Sequence, residues 1–89
     1  MFSVHVMISG RVQGVGYRRW FQQKARGLDL SGWVRNLQDG RVEAQVSGPR
    51  EKVEALLTAA LEGPTFSSVD EVERLGPGEA QDGPFRIAF

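Results

Sequence analysis

The sequence predicts an α+β domain in which two helices cover one face of an antiparallel sheet. Segments with an apolar residue at every second position alternate with segments of helical periodicity, and glycine and proline residues separate them. The predicted order is β-α-β-β-α-β. The chain has 89 residues, 40% hydrophobic and 25% charged, which is the size and composition of one globular domain, predicted to span residues 1–89.

The first part of the chain contains a strand, a loop and a helix. Residues 2–9 alternate between mostly apolar and mostly polar positions and predict a half-buried strand. Residues 10–17 hold three glycines and show no periodicity, so they predict a loop. A helix is predicted over residues 18–26 with its end at Gly27, because a glycine in the left-handed conformation often follows a last helical turn.

A hairpin and a second helix follow. The hairpin joins residues 30–36 to residues 41–47, because Asp39-Gly40 between them is a common turn dipeptide. The second helix begins at Pro49, which suits a first helical position, and ends at Gly63-Pro64. Five apolar residues inside it recur at helical spacing: Val53, Leu56, Leu57, Ala60 and Leu61.

The last part of the chain predicts two strands. Residues 67–75 alternate poorly and predict a bulged strand, and residues 76–84 predict a loop rich in glycine and proline. Residues 85–89 predict a short final strand, because Phe85, Ile87 and Phe89 alternate. The order β-α-β-β-α-β, with the short final strand as a part of it or as a separate addition, is the split βαβ pattern of ferredoxin-like sandwiches, a fold that hosts many functions.

The composition excludes several kinds of chemistry. No cysteine is present, so disulfides, thiolate catalysis and cysteine-based zinc sites are excluded, and one histidine leaves little for a metal site. We therefore expect no cofactor and no metal. No signal peptide is visible, and no apolar run approaches the roughly 20 residues of a membrane span. We expect a cytoplasmic protein that does not bind membranes.

The charge is balanced over the chain but unevenly distributed. Residues 1–45 hold seven Arg and Lys against three Asp and Glu, while residues 46–89 hold four against eight. A net charge of zero argues against broad nucleic-acid binding, which depends on neutralising phosphates. The basic first half suits one small anion, although chance asymmetry in a short chain gives the same pattern.

The loop GRVQGVGYR is the first candidate for chemistry. Its glycines, Gly10, Gly14 and Gly16, allow successive backbone N–H groups to form a concave array, and such arrays bind anions. Arg18 follows where the loop becomes a helix, and its guanidinium group matches two phosphate oxygens. The pattern is neither a Walker A loop nor a dinucleotide fingerprint, because Arg19 stands where a third glycine is needed. A plain glycine turn carrying surface arginines is the alternative.

Asn36 is the second candidate, at the predicted end of a strand. An asparagine there is usually a turn residue or a cap for its own backbone. The alternative is an amide directed at the loop of residues 10–17, called the glycine loop below. The first crossover of a split βαβ fold makes the first two strands parallel, so their carboxyl ends lie at the same edge of the sheet.

The two segments resemble the signature motifs of the acylphosphatase family. The first motif, G-x-V-Q-G-V-x-[FY]-R, is matched by Gly10, Val12, Gln13, Gly14, Val15, Tyr17 and Arg18. The second, G-[FYW]-[AV]-x-N-x-x-x-G-x-V-x-x-x-x-x-G, is matched by Gly32, Trp33, Val34, Asn36, Gly40, Val42 and Gly48. Every fixed position agrees, and the resemblance covers essentially the whole chain.

The resemblance implies an enzyme that hydrolyses the carboxyl-phosphate bond of acyl phosphates. By the same resemblance, Arg18 binds the phosphate and Asn36 orients the attacking water. The cradle of backbone amides falls on Gln13, Gly14, Val15, Gly16, Tyr17 and Arg18. The implied partner is a small-molecule acyl phosphate, and we expect a monomer. Trp20 and Phe21 follow the arginines directly, and we expect them to influence access of the acyl group.

The remaining polar and aromatic residues have plainer interpretations, and two other functions fit the same fold. His5 is interpreted as a sheet-face residue, Arg19 as solvated surface and Tyr17 as packing, while Trp33 is interpreted either as packing or as a wall of the acyl pocket. An RNA-binding module of the same fold needs aromatic residues on its central strands, where this sequence has His5, Met7, Glu43 and Gln45. A domain serving a larger carbamoyl-transfer enzyme is a third interpretation, and the chain length favours an independent enzyme.

Overall fold

The computed structural model describes residues 1–88, in which five strands and two helices are present. The strands are β1 (Phe2–Arg11), β2 (Ser31–Asn36), β3 (Val42–Gly48), β4 (Ser68–Pro77) and β5 (Arg86–Ile87), and the helices are α1 (Tyr17–Gly27) and α2 (Arg50–Glu62). All predicted elements are confirmed to within two or three residues, although β5 is shorter than predicted. The prediction for Phe89 lies outside the described residues. No helix among residues 1–88 is long and apolar enough to cross a membrane.

The sheet has the strand order β4-β1-β3-β2-β5. The four strands β1 to β4 pair antiparallel, as predicted, and the fold class is confirmed. The short strand β5 pairs parallel to β2, so the complete sheet is mixed. The reason is the path of residues 78–83, which cross the sheet near the start of β1 and β2. Gly78 N–H donates to the Ser3 carbonyl, and the Ser31 hydroxyl donates to the Gly83 carbonyl. A chain that arrives beside the start of β2 has to run in the direction of β2.

The helices cover one face of the sheet and enclose the core. Alternate residues of β1, β2 and β3 point to this face and are buried: Val4, Val6, Ile8, Val34, Val42, Ala44 and Val46. The helices contribute Tyr17, Phe21, Ala25, Val53, Leu56, Leu57 and Ala60. Burial of one large side chain of this kind stabilises the fold by about 1.5–3 kcal/mol. The two-residue and helical periodicities in the sequence therefore correspond to the two sides of one core.

The end of α1 differs from the prediction. Gly27 is the last residue of the helix and is not left-handed, whereas Asp29 has φ 55°. Leu30 N–H donates to the Ala25 carbonyl and Asp29 N–H to the Arg26 carbonyl, which is the Schellman pattern. Leu30 is buried in the core, so the chain extends two residues beyond Gly27 before it turns.

Polar contacts organise the face of the sheet that the helices leave open. His5 Nε2 lies 2.6 Å from Glu43 Oε2, and Arg35 Nε donates to Glu43 Oε1 at 2.6 Å, so Glu43 joins three strands. Burial raises the pKa of the Glu43 carboxyl, but the hydrogen bonds from His5 and Arg35 outweigh it and hold the pKa below its ordinary value. His5 is a sheet-face residue, as predicted.

The edge strand β4 is bulged, as predicted. Its register with β1 shifts between His5 and Val6 and again between Ser9 and Gly10. Gly10 has φ 119°, and a Cβ atom there would collide with the backbone of Ser68. The close approach of β4 therefore requires a glycine where β1 leads into the glycine loop. The acidic residues Asp70, Glu71 and Glu73 of β4 are exposed, as expected.

Candidate active site

The segment between β1 and α1 has the backbone conformation of an anion-binding loop. Gly14 and Gly16 have φ values of 73° and 79°, and Gly16 caps α1 in the left-handed conformation. A Cβ atom at either glycine would meet nothing within 4 Å, so backbone conformation and not crowding requires glycine there. The N–H groups of residues 14–16 donate no hydrogen bond to the backbone of residues 1–88. Backbone N–H groups beside a helix N-terminus attract anions.

Arg18 and Arg19 both lie in the first turn of α1. Arg18 is partly buried, whereas Arg19 is exposed, as the prediction of a solvated surface residue required. Both arginines nevertheless line the depression beside the loop. The first turn of α1 contains no acidic residue, so the local charge is positive.

Asn36 is the last residue of β2 and pairs with Val42 on β3. Its Oδ1 atom is buried and has no hydrogen-bond partner among residues 1–88. The adjacent turn is capped by Asp39, whose Oδ1 accepts from Arg41 N–H at 3.0 Å. Burying an acceptor without a hydrogen-bond partner lowers the stability of a protein by about 1–3 kcal/mol. Stability of the fold therefore does not explain why an amide stands at this position.

The loop, Arg18 and Asn36 meet at one depression of about 210 Å³. It is lined by Val12, Gln13, Gly14, Gly16, Tyr17, Arg18, Arg19, Asn36 and Ile87. Strands β1 and β2 both pair antiparallel with β3 and are therefore parallel to each other, which brings their carboxyl ends to one edge. The structure thus brings together two motifs that lie apart in the sequence.

One predicted cradle residue turns its side chain away from the depression. Val15 is not among the lining residues and packs partly buried against the core. Its backbone N–H remains part of the loop. Gln13 also differs from its neighbours, because its side-chain amide is occupied by hydrogen bonds to the β2–β3 turn.

Of four aromatic residues near the motifs, Tyr17, Trp20 and Phe21 pack in the core or against it. The Tyr17 hydroxyl donates to the Ala60 carbonyl at 2.8 Å, and burial raises the pKa of this phenol. Phe21 is fully buried, and the Trp20 ring lies 5.4 Å from the Tyr17 ring. Trp33 lies beneath the Arg35 guanidinium. None of Trp20, Phe21 and Trp33 lines the depression, so the expected influence of Trp20 and Phe21 on acyl access has no support in their positions.

Ile87 is a lining residue that sequence reasoning missed. It lies on β5 opposite Val34 of β2, which places its side chain beside the depression. The alternation of Phe85 and Ile87 predicted a strand, but alternation does not indicate which neighbouring strand it pairs with. Within the described part of the chain, no three His, Asp or Glu side chains are grouped so as to hold a metal ion.

Comparison with known proteins gives one consistent result. The family model described as acylphosphatase matches residues 4–87. A curated protein named acylphosphatase, from Alcanivorax borkumensis, is 45% identical over 89 residues, which cover 100% of this chain and 97% of that protein. The crystal structure of acylphosphatase from Bacillus subtilis has a TM-score of 0.92 and 34% identity, with both chains covered completely.

A longer protein contains the same fold. The structure of HypF from T. kodakarensis matches 99% of this chain with a TM-score of 0.85 and 30% identity, but the match covers 12% of that chain. Family model, curated relatives and solved structures therefore agree over almost the full length of the sequence. The chain belongs to the acylphosphatase family of enzymes.

Proposed function

We propose that this chain hydrolyses the carboxyl-phosphate bond of acyl phosphates to a carboxylate and inorganic phosphate. The observation that carries the proposal is the depression at which the glycine loop, Arg18 and Asn36 meet. Membership of the family and relatives named acylphosphatase support the choice of substrate class. The small volume of the depression suits a phosphate group, with the acyl group directed outwards.

The phosphate is bound by the loop and by Arg18. Backbone N–H groups of Gln13, Gly14, Val15, Gly16, Tyr17 and Arg18 surround its oxygens, and the positive end of α1 adds to their field. The Arg18 guanidinium pairs with two of these oxygens. The same groups stabilise charge on the equatorial oxygens in the transition state.

Asn36 orients the nucleophile. Its side-chain amide lines the depression and holds a water by a hydrogen bond, which directs the water lone pair at phosphorus. The new O–P bond forms as the bond from phosphorus to the carboxyl oxygen breaks, and the water proton passes to a phosphate oxygen or to solvent. The departing carboxylate has a pKa of about 4, so it leaves without a strong general acid. Phosphoryl transfer depends mostly on positioning and charge stabilisation, so a site of this composition suffices.

The direct test is an assay of the purified chain with benzoyl phosphate, following its loss against time. We expect hydrolysis well above the uncatalysed rate and competitive inhibition by inorganic phosphate. Absence of hydrolysis, or an equal rate with Arg18→Ala, contradicts the proposal. The cytoplasmic location, the monomeric state and the lack of nucleic-acid binding stay predictions.

The proposed mechanism needs no metal ion, and this is tested separately. We expect the rate to survive exhaustive treatment with EDTA, because Arg18 and the loop amides supply the charge that a metal ion supplies in other phosphoryl-transfer sites. Addition of Mg²⁺ or Zn²⁺ after chelation is the control. A rate that disappears with EDTA and returns with either ion would contradict this mechanism.

A further inference from the structure

The side chain of Gln13 connects the glycine loop to the hairpin that carries Asn36. Its Nε2 atom donates to the Leu37 carbonyl at 2.7 Å and to the Arg41 carbonyl at 2.9 Å. A side-chain amide nitrogen carries two hydrogens, so both donors of Gln13 are in use. The bonds join residues separated by 24 and 28 positions in the chain.

The two accepting carbonyls belong to the residues that close the β2–β3 turn. Leu37 N–H donates to the Arg41 carbonyl at 2.8 Å, and Gly40 N–H donates to the Leu37 carbonyl at 3.3 Å. Gln13 therefore binds both sides of the turn at its base. Leu37 directly follows Asn36, so the attachment lies one residue from the proposed water-binding group.

The position of the Asn36 amide depends on this backbone. Its Oδ1 accepts no hydrogen bond within residues 1–88, so no neighbouring donor fixes the orientation of that oxygen. The placement of β2 relative to the loop then decides where the oxygen lies. Gln13 precedes Gly14, the first glycine of the anion-binding loop, and so joins the two halves of the depression.

We infer that Gln13 is a positioning residue, whose side-chain amide holds the β2–β3 turn against the glycine loop so that Asn36 faces the bound phosphate. The inference rests on the proposed function, since it concerns the geometry of that site. The side chain of Gln13 acts through the Leu37 and Arg41 carbonyls and does not touch the reacting atoms. A merely structural bond predicts a different result, namely a loss of stability with an unchanged rate.

The test compares Gln13→Ala with Gln23→Ala, a matched control at an exposed position of α1. The measurements are kcat and KM for benzoyl phosphate, the inhibition constant of inorganic phosphate, and the thermal midpoint. We expect Gln13→Ala to lower kcat by about 10–100-fold, because a small misplacement of a reacting group has effects of this order. The inhibition constant should change much less, and Gln23→Ala should resemble the wild type.

Gln13→Glu adds a readout that depends on pH. An ionised carboxylate only accepts hydrogen bonds and repels the two carbonyls, whereas a protonated carboxyl donates one bond. Proximity to two carbonyl oxygens raises the pKa of the introduced carboxyl above the ordinary value of about 4.3. We expect the ratio of Gln13→Glu kcat to wild-type kcat to rise as the pH falls through the pKa of the introduced carboxyl. The corresponding ratio for Gln13→Ala should stay flat.

A second, non-catalytic measurement separates this inference from the proposed function. In Gln13→Ala, the NMR signals of the Asn36 side-chain amide should shift or broaden, while Gln23→Ala leaves them unchanged. An inactive wild type would refute the proposed function and, with it, the role of Gln13 in positioning Asn36 for that reaction. An active wild type with unchanged kcat in Gln13→Ala, or with equal losses in kcat and phosphate affinity, would overturn the inference alone.

Discussion

Arg18 and Arg19 differ in burial although they are neighbours. A helix turns about 100° per residue, so the two side chains leave α1 in different directions, and only Arg18 is partly buried. We expect Arg18→Ala to lower kcat/KM by about 10²–10³-fold, because the phosphate loses its principal countercharge. Arg18→Lys should also be poor, since an ammonium group cannot bind two oxygens at once.

Arg19→Ala is the matched control for this prediction. Arg19 is exposed at the rim of the depression, where solvent and salt screen its charge, so its loss should have a much smaller effect. Steady-state kinetics and phosphate inhibition distinguish the two variants. A larger loss for Arg19→Ala than for Arg18→Ala would show that Arg19, and not Arg18, is the principal phosphate-binding arginine.

Substitutions at Asn36 distinguish the positioning of the attacking water from the binding of phosphate. Asn36→Ala should lower kcat by about 10²–10³-fold, the usual effect of losing one pre-organised polar group, and should leave the inhibition constant of phosphate nearly unchanged. Asn36→Asp should also weaken phosphate binding, because a carboxylate repels the anion.

The thermal midpoint tests the alternative that Asn36 is structural. Removal of a buried acceptor that lacks a partner should leave the stability unchanged or raise it slightly. An Asn36→Ala variant that unfolds early and retains its rate would show that the residue serves the turn. Another group would then have to orient the water.

At the level of the element, the loop depends on left-handed glycines. Gly16→Ala should destabilise the protein by about 1–2 kcal/mol, because an L-residue is strained at φ 79° even in open space. Phosphate affinity should fall with it as the N–H groups change direction. Gly27→Ala is the matched control, since Gly27 is the last residue of α1 and has no positive φ, and there alanine should be neutral or stabilising. Equal changes in stability and phosphate affinity for Gly16→Ala and Gly27→Ala would show that the loop does not depend on the left-handed conformation of Gly16.

At the level of the whole molecule, Glu43 links three strands and makes the stability depend on pH. Its folded pKa lies below the unfolded value of about 4.3, so its contribution is present above that pH and is lost as the pH falls through the folded pKa. Glu43→Gln should lower the thermal midpoint at pH 7 and flatten its decline in acid. Glu51→Gln, at an exposed position of α2, is the control. Parallel acid unfolding curves for wild type and Glu43→Gln would contradict the prediction.

Local patterns in the sequence were sufficient to predict the strands and the helices, whereas the resemblance to the family motifs was needed to choose the two segments that meet at the depression. Alternation and helical spacing reflect which side of an element is buried, and this depends on neighbouring residues alone. Gly14 and Gly16 were recognisable for the same reason, because their left-handed conformation is a local requirement. The chain order then placed the ends of β1 and β2 at one edge.

Only the tertiary structure decided how distant parts of the chain complete the site. The path of residues 78–83 places β5 parallel to β2, and thereby brings Ile87 to the depression. The side-chain hydrogen bonds of Gln13, and the lack of a partner for Asn36 Oδ1 among residues 1–88, became visible only in the folded chain. These contacts join residues far apart in sequence, and their formation depends on the packing of the whole core, which no local periodicity or turn preference encodes.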